Sequence, residues 1–526
     1  MNWVKLLRER RGYLFVSLLL SFLVLPLASQ DTGAVDVNPE LLQRGKTLFE
    51  QECSVCHGME GKGDGTAAYL LFPKPRDFTT GVFKVRSTPS GEPPTDQDLF
   101  NTITTGLPGS AMSGFSSIQE QDRWALVHYL KKMANIEGEP ERVIKVPAVS
   151  SAAPELVSQG KALYQKLKCW ECHGKEGKGD GPSVSGLKDD WGYPAPPNNF
   201  TRGVYKGGGK DSDIYLRFTT GMDGTPMPSY EDSANEQERW ALVRYVKSLA
   251  AQKVAQQPST GKITAQKITG DIVSDPNSPV WETVAAGEIP LMLLWQRDEV
   301  IESAKIKAIH NEKEIAFLLE WEDVEPAGRF TRHQDFSDGA AIMFSLSPEL
   351  PHFTMGTKGK PVNIWYWRMD RQLDLKKFQD MEDVYPQMAA DDYLFASGWH
   401  PKKTESRRQF PMAPSPAHNR TYVTGWGAGN YASNPKKPSA IEDLNAEGFG
   451  TLTSQKVEGQ NVDGQGIWAN GFWKVIFKRS LKSNEPYDLN MNPGTKVPIA
   501  FAVWDGNKGD RDGQKAVTTW YELDWR

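Results

Sequence analysis

Two Cys-x-x-Cys-His motifs, Cys53-Ser-Val-Cys56-His57 and Cys169-Trp-Glu-Cys172-His173, take up all four cysteines of this 526-residue chain. The motif is the attachment signature of a c-type haem. Its two thiols add across the haem vinyl groups, and the histidine that follows is placed to coordinate the iron. No cysteine is left for a disulfide, a thiol nucleophile or an iron–sulfur cluster. A lone motif could be a redox dithiol or part of a zinc site. Zinc needs four ligands, however, and each motif offers three with no further cysteine to complete the set. Two covalent haems c, and electron transfer, are the expectation.

The motif sits inside a longer repeat. Arg44-Gly45-Lys46-Thr-Leu48-Phe49 returns as Gln159-Gly160-Lys161-Ala-Leu163-Tyr164, and the Gly-Lys-Gly-Asp-Gly run ending at Gly65 returns ending at Gly181. Cys53 and Cys169 are 116 positions apart, as are Trp124 and Trp240 of a shared Trp-Ala-Leu-Val segment. This is an internal duplication of one domain. Each copy reads as helix, haem motif, glycine-rich loop, short helix, methionine loop and final helix. In the first helix Leu41, Gly45 and Leu48 fall on one face, and a glycine there lets another helix cross closely. In the final helix Trp124, Val127 and Lys131 form a stripe with Leu130 beside it. The two copies resemble class I cytochromes c, in which the first and last helices cross beside the haem. The Gly-Lys-Gly-Asp-Gly runs lack the Lys-Ser/Thr ending of a phosphate loop and follow the haem motif, so they are read as tight turns.

A sixth iron ligand requires a donor on a downstream loop. Met112 lies 55 residues after His57, and Met227 lies 54 after His173; this matched spacing selects Met227 over Met222. Histidine–methionine ligation raises a haem's potential. His128 is the rival ligand in the first copy, but its counterpart is Arg244.

The N-terminus pairs a charged stretch through Arg11 with an apolar run from Tyr13 to Ala28, the form of an export signal or an N-terminal anchor over residues 1–30. The run is short for a spanning helix. A twin-arginine reading of Arg10-Arg11 is set aside, because that route carries folded cargo while c-type haem is attached to an unfolded chain after export. The expected location is the periplasm. A formal charge of −5 gives no broad basic field, so nucleic acid is not an expected partner. The expected domains are cytochrome c domain 1 over 38–137, cytochrome c domain 2 over 153–252, and a third domain over 263–526.

In that third region the period changes from helical to alternating. Residues 306–310 and 315–321 read as a β-hairpin, and further strands are expected at 339–346, 361–368, 472–480, 496–504 and 517–525. Twelve of the seventeen tryptophans lie here. The fold class is therefore two all-α cytochrome c domains followed by a mostly-β sandwich with an aromatic core. The stretch from 370 to 450 has no clear period.

The segment Phe353-Thr-Met355-Gly-Thr-Lys-Gly-Lys-Pro361-Val-Asn363-Ile-Trp365-Tyr-Trp367 resembles the haem-b-binding γ subunit of ethylbenzene dehydrogenase. Related subunits occur in dimethylsulfide dehydrogenase, chlorate and selenate reductases and nitrite oxidoreductase. Ala428-Gly429-Asn430, the run from Asp443 to Thr453 and the run from Trp468 to Arg479 extend the likeness. The resemblance implies one non-covalent haem b held between a methionine and a lysine, with Met355 matching the methionine. Lys456 is the first choice for the lysine, with Lys474 and Lys478 behind it. A lysine ligand must be neutral and therefore desolvated. The resemblance further implies iron–sulfur and molybdenum catalytic subunits as partners. Other cytochromes or quinone-linked acceptors would lie beyond them, and the chain would have no substrate chemistry of its own.

Other readings remain open at this stage. The same sandwich architecture serves carbohydrate-binding modules, and a fold alone does not give function. A diheme peroxidase would need an open or switchable iron, against which the two methionine loops count. His310, His333, His352, His400 and His418 are scattered metal-ligand candidates. The loop from Asp505 to Gly513 resembles a calcium loop without its twelfth-position glutamate and is read as a solvated hairpin.

Overall fold

The computed structural model describes residues 39–148, 154–250, 261–297, 299–329, 331–377, 384–387 and 437–526. The export-signal segment, residues 251–260 of the second linker, His400, His418 and the motif at 428–430 lie outside these residues. No helix among the described residues is long and apolar enough to cross a membrane.

The first copy contains α1 (Pro39–Glu52), α2 (Ser54–His57), α3 (Asp96–Thr105) and α4 (Glu120–Met133). The second repeats them as α5 (Pro154–Lys166), α6 (Trp170–His173), α7 (Asp211–Thr220) and α8 (Glu236–Ser248). Close crossing of the first and last helices dictates the glycines. A Cβ on Gly45 would lie 2.1 Å from the Ala125 carbonyl oxygen, and one on Gly160 would lie 2.0 Å from that of Ala241. Local signals set the ends. Thr95 caps α3 in a reciprocal box with Asp98, and Asn235 caps α8 with Glu238. Val127 and Leu130 are buried as the stripe predicts. Lys131 is buried too, because its ammonium pairs with Asp96 and the Gly138 carbonyl. Trp124 is only partly buried and stacks on Phe100, ring centroids 4.3 Å apart.

The C-terminal region holds fourteen strands among the described residues. In chain order these are β1 (Lys262–Lys267), β2 (Gly287–Pro290), β3 (Met292–Leu293), β4 (Ser303–His310), β5 (Glu314–Glu322), β6 (Gly339–Ser345) and β7 (Val362–Arg368). Then follow β8 (Ile441–Ala446), β9 (Thr453–Ser454), β10 (Asp463–Ala469), β11 (Phe472–Ser480), β12 (Val497–Trp504), β13 (Ala516–Val517) and β14 (Tyr521–Trp525). The hydrogen-bonded path runs β10-β11-β5-β4-β1-β14-β12-β6-β7-β8-β9. It folds over so that Trp321 and Trp473 from one half meet Trp367 from the other, the closest pair 4.8 Å between centroids. The expected β4–β5 hairpin forms, with His310 opposite Ile315. The last expected strand is split, because Thr518 turns its N–H onto the Phe501 carbonyl at 2.9 Å. The stretch from 370 to 450 is not wholly irregular: a short helix, Met369–Asp374, and β8 lie within it.

All three regions touch. Phe72 of the first copy bridges to the sandwich through Phe72 N–H to the Leu294 carbonyl (3.1 Å) and Gln296 N–H to the Phe72 carbonyl (2.8 Å). Leu71, Cys56 and Ala111 share an apolar cluster with Met292, Leu294, Phe353 and Val517. Arg86, 1% exposed, reaches from the first copy into the second, donating to the Thr220 carbonyl at 2.8 Å and the Asp223 carboxylate at 2.7 Å.

Candidate haem cavities

In the first copy α2 brings Cys53, Cys56 and His57 to one wall of a mostly apolar cavity, and the loop after α3 brings Met112 to it. Neither cysteine pair forms a disulfide. Burial raises the Cys56 and Cys169 thiols to about 11, the reverse of what a redox dithiol or nucleophile needs. The His57 ring stacks on Phe78 with centroids 4.4 Å apart, and its Nδ1 donates to the Arg76 carbonyl at 2.9 Å. That bond fixes the tautomer and leaves Nε2 for a metal. Burial lowers the imidazole to about 4, keeping it neutral, as a ligand must be. The glycine-rich loop tightens this wall: Gly63 N–H bonds the His57 carbonyl at 2.8 Å and Gly65 N–H bonds that of Cys56 at 3.2 Å. A side chain on Gly65 would strike the Val55 carbonyl at 2.4 Å.

The second copy repeats each device around a cavity of its own. His173 stacks on Phe200 at 4.4 Å and its Nδ1 bonds the Asn198 carbonyl at 3.1 Å. Both Met222 and Met227 line this cavity, so lining alone does not choose between them. The hydrogen-bond register does. Leu107 N–H bonds the Met112 carbonyl in one copy, and Met222 N–H bonds the Met227 carbonyl in the other, so Met227 occupies the place of Met112. His128 is not among the residues lining the first cavity; it sits buried on α4 with Nε2 lacking a partner. Paired thiols, an oriented neutral imidazole and a facing thioether fit a covalent haem in each cavity.

Met355 lies at φ +147°, in a region non-glycine residues rarely adopt. It packs with Phe353, Met343, Ile364 and Trp504 on the outer face of the sheet made by β6, β7, β8 and β12. Lys456 is exposed at the start of a 3₁₀ turn after β9, and its side chain makes no hydrogen bond or ion pair among the described residues. Lys474 and Lys478 sit on β11 beside Glu320 and Glu314. Lys456 is exposed, and Lys474 and Lys478 are half-buried. In the sandwich, burial depresses Lys437 and Lys515, each to about 8. Lys515 holds its ammonium 4.8 Å from the centre of the Trp504 ring, on the same outer face as Met355. No local motif marks either residue, and only the folded sheet shows their burial.

Sequence reasoning also missed the sandwich's share in the first cavity. Leu294, His352, Phe353 and Thr354 line it, as does Lys206 of the second copy. His352 is buried, with Nδ1 held by the Thr354 hydroxyl at 2.6 Å. His310 makes an edge contact with Trp525. Trp321, Trp365, Trp367 and Trp473 are turned into the core and are not presented for stacking on a sugar.

Residues 42–134 and 157–250 match the cytochrome c family, and residues 278–516 match the ethylbenzene dehydrogenase family. A respiratory nitrate reductase heme subunit of Haloferax mediterranei is 22% identical over 288 residues, covering 54% of this chain and 79% of that protein. The dimethylsulfide dehydrogenase subunit gamma of Rhodovulum sulfidophilum is 25% identical over 264 residues, covering 48% and 73%. A chain from the reducing HAO-like protein complex of Kuenenia stuttgartiensis is 45% identical, covers 40% of this chain and 96% of that one, and has a TM-score of 0.39.

Proposed function

We propose a function on the premise that the chain belongs to the cytochrome c family over residues 42–134 and 157–250 and to the ethylbenzene dehydrogenase family over residues 278–516. It is a multihaem electron-transfer subunit, carrying two covalent haems c and one haem b. It relays electrons between a periplasmic molybdenum and iron–sulfur oxidoreductase and the respiratory chain. The substrate chemistry belongs to the partner, in keeping with relatives that are haem or gamma subunits. Export supports the location: the apolar run 13–28 after a charged stretch would deliver an unfolded chain for haem attachment, either cleaved or kept as an anchor.

The observation that carries the reading is continuity. The first cavity is completed by sandwich residues, and its wall is shared with the second through Lys84 and Lys206, so the three regions meet around the first cavity. A haem bound at each site supplies a one-electron couple. Cys53, Cys56, His57 and Met112 would hold the first, and Cys169, Cys172, His173 and Met227 the second. Met355 is the candidate methionine in the sandwich. Lys456 remains the first choice for its lysine, and burial adds Lys437 and Lys515 as candidates. Phe353 joins the regions, packing with Cys56 in one cluster and with Met355 in another.

A pyridine haemochrome spectrum before and after acid–acetone extraction tests the stoichiometry. Two covalent haems and one extractable haem b are expected. Two covalent haems with none extractable, in fully loaded protein, would refute the C-terminal assignment.

A further inference from the structure

The wall between the two cavities carries a pair of lysines that the electron-transfer reading leaves unused. Lys84 follows Gly81-Val-Phe in the first copy and Lys206 follows Gly203-Val-Tyr in the second, so they occupy one position of the duplicated domain. Each lines both cavities. Packing holds them side by side. A Cβ on Gly207, next to Lys206, would sit 3.2 Å from Val85 Cγ2, next to Lys84. Arg217 of the second copy donates to the Lys84 carbonyl at 3.3 Å and also to that of Arg86.

Carboxylates are few at this wall. Among the described residues neither lysine ammonium has a hydrogen bond or a carboxylate within ion-pair distance. Arg76 Nη1 and Arg217 Nε, in the first and second cavity respectively, are buried nitrogens with no hydrogen-bond partner among the described residues, although other charges act on both arginines. The acidic side chains lining the cavities are Glu52 in the first and Asp189 in the second. Buried cations are ordinarily paired, and leaving one uncompensated is strongly destabilising. A c-type haem brings two propionate carboxylates as well as its apolar ring.

We propose that Lys84 and Lys206 act together as a cationic bridge that binds haem propionates from both cavities and couples the two sites electrostatically. The proposal rests on the reading that each cavity takes a covalent haem. Burial and the neighbouring cations bring Lys84 down to about 7 and Lys206 to about 8, a penalty that bound carboxylates would relieve. Loss of one positive charge would favour oxidised iron at both sites, whichever copy supplied it.

The test crosses the copies in the full-length holoprotein. With Cys169→Ser and Cys172→Ser leaving only the first cavity loaded, Lys206→Gln is expected to lower the midpoint potential there, and Lys206→Arg to restore it. With Cys53→Ser and Cys56→Ser, Lys84→Gln is expected to do the same in the second cavity. Where a chain with one covalent haem does not mature, redox titration of the chain with both covalent haems and Lys206→Gln serves instead, and both covalent-haem couples are expected to move. Potentials that respond only to the lysine of their own copy, or to neither, overturn the bridge. Haemochrome counting of the unaltered chain separates the two failures. A count below two covalent haems refutes the reading of the cavities and the bridge with it; a count of two with unmoved cross-potentials refutes the bridge alone.

Discussion

In the first cytochrome copy the cavity is finished mainly by the sandwich, whereas in the second it is finished mainly by the first copy, through Pro73, Lys84 and Gly109. Both copies present the same cysteines, the same histidine–carbonyl bond and the same methionine register. Around the first, however, Leu294, His352, Phe353 and Thr354 close in from the sandwich, while Gln296 is the sandwich residue lining the second. Duplication thus preserved the machinery that holds a haem and let the surroundings diverge. More sandwich residues line the first copy's cavity than the second's. A domain repeated for its cofactor acquires direction from what packs on its rim.

The largest expected effect separates the copies outright. Cys53→Ser with Cys56→Ser should halve the covalent haem count and leave the second site spectrally intact, as measured by pyridine haemochrome. Within the second copy, Met227→Leu should remove the second haem's share of the visible band of thioether–iron ligation while Met222→Leu leaves the band unchanged; the opposite pattern would mean that the shared register misleads. Gly45→Ala and Gly160→Ala should each destabilise their own copy by about 3 kcal/mol, because the new methyl meets a backbone oxygen that cannot move aside. Denaturant melts followed at the haem bands would show it. Smaller is the effect of Asp223→Ala, which deprives the buried Arg86 of its carboxylate and should cost about 2 kcal/mol, loosening one copy from the other. Limited proteolysis of the segment joining the copies would report that loosening.

Much of the cytochrome half was legible in the sequence because its chemistry is local. The haem motif, the crossing glycines and the methionine spacing each lie within a short window. The sandwich was less so. The hairpin of β4 and β5 was visible from its alternation, but β10 was hidden by Gly464 and Gly466. Gly464 is required because any Cβ there would meet the Ile476 carbonyl at 2.0 Å. Strand β8 was hidden by buried acids: Glu442 is paired with Arg371 at 2.8 Å, and Asp443 accepts from Asn363 at 2.6 Å. Residues so paired look like loop residues until their partners, some seventy to eighty positions away, are in place. The lysine of the sandwich is hard to choose from sequence for the same reason, since desolvation is a property of the fold. The sandwich's contribution to the first cavity crosses from residue 57 to residue 353, and no pattern in the chain announces it.

The central claim is that electrons pass between the sandwich and the second copy by way of the first cavity. Stopped-flow reduction, followed separately at the bands of the extractable and covalent haems, tests it in the chain carrying Cys53→Ser and Cys56→Ser. The account predicts that equilibration between the sandwich and the second copy slows sharply once the first station is gone. Equilibration at the rate of the unaltered chain would contradict it.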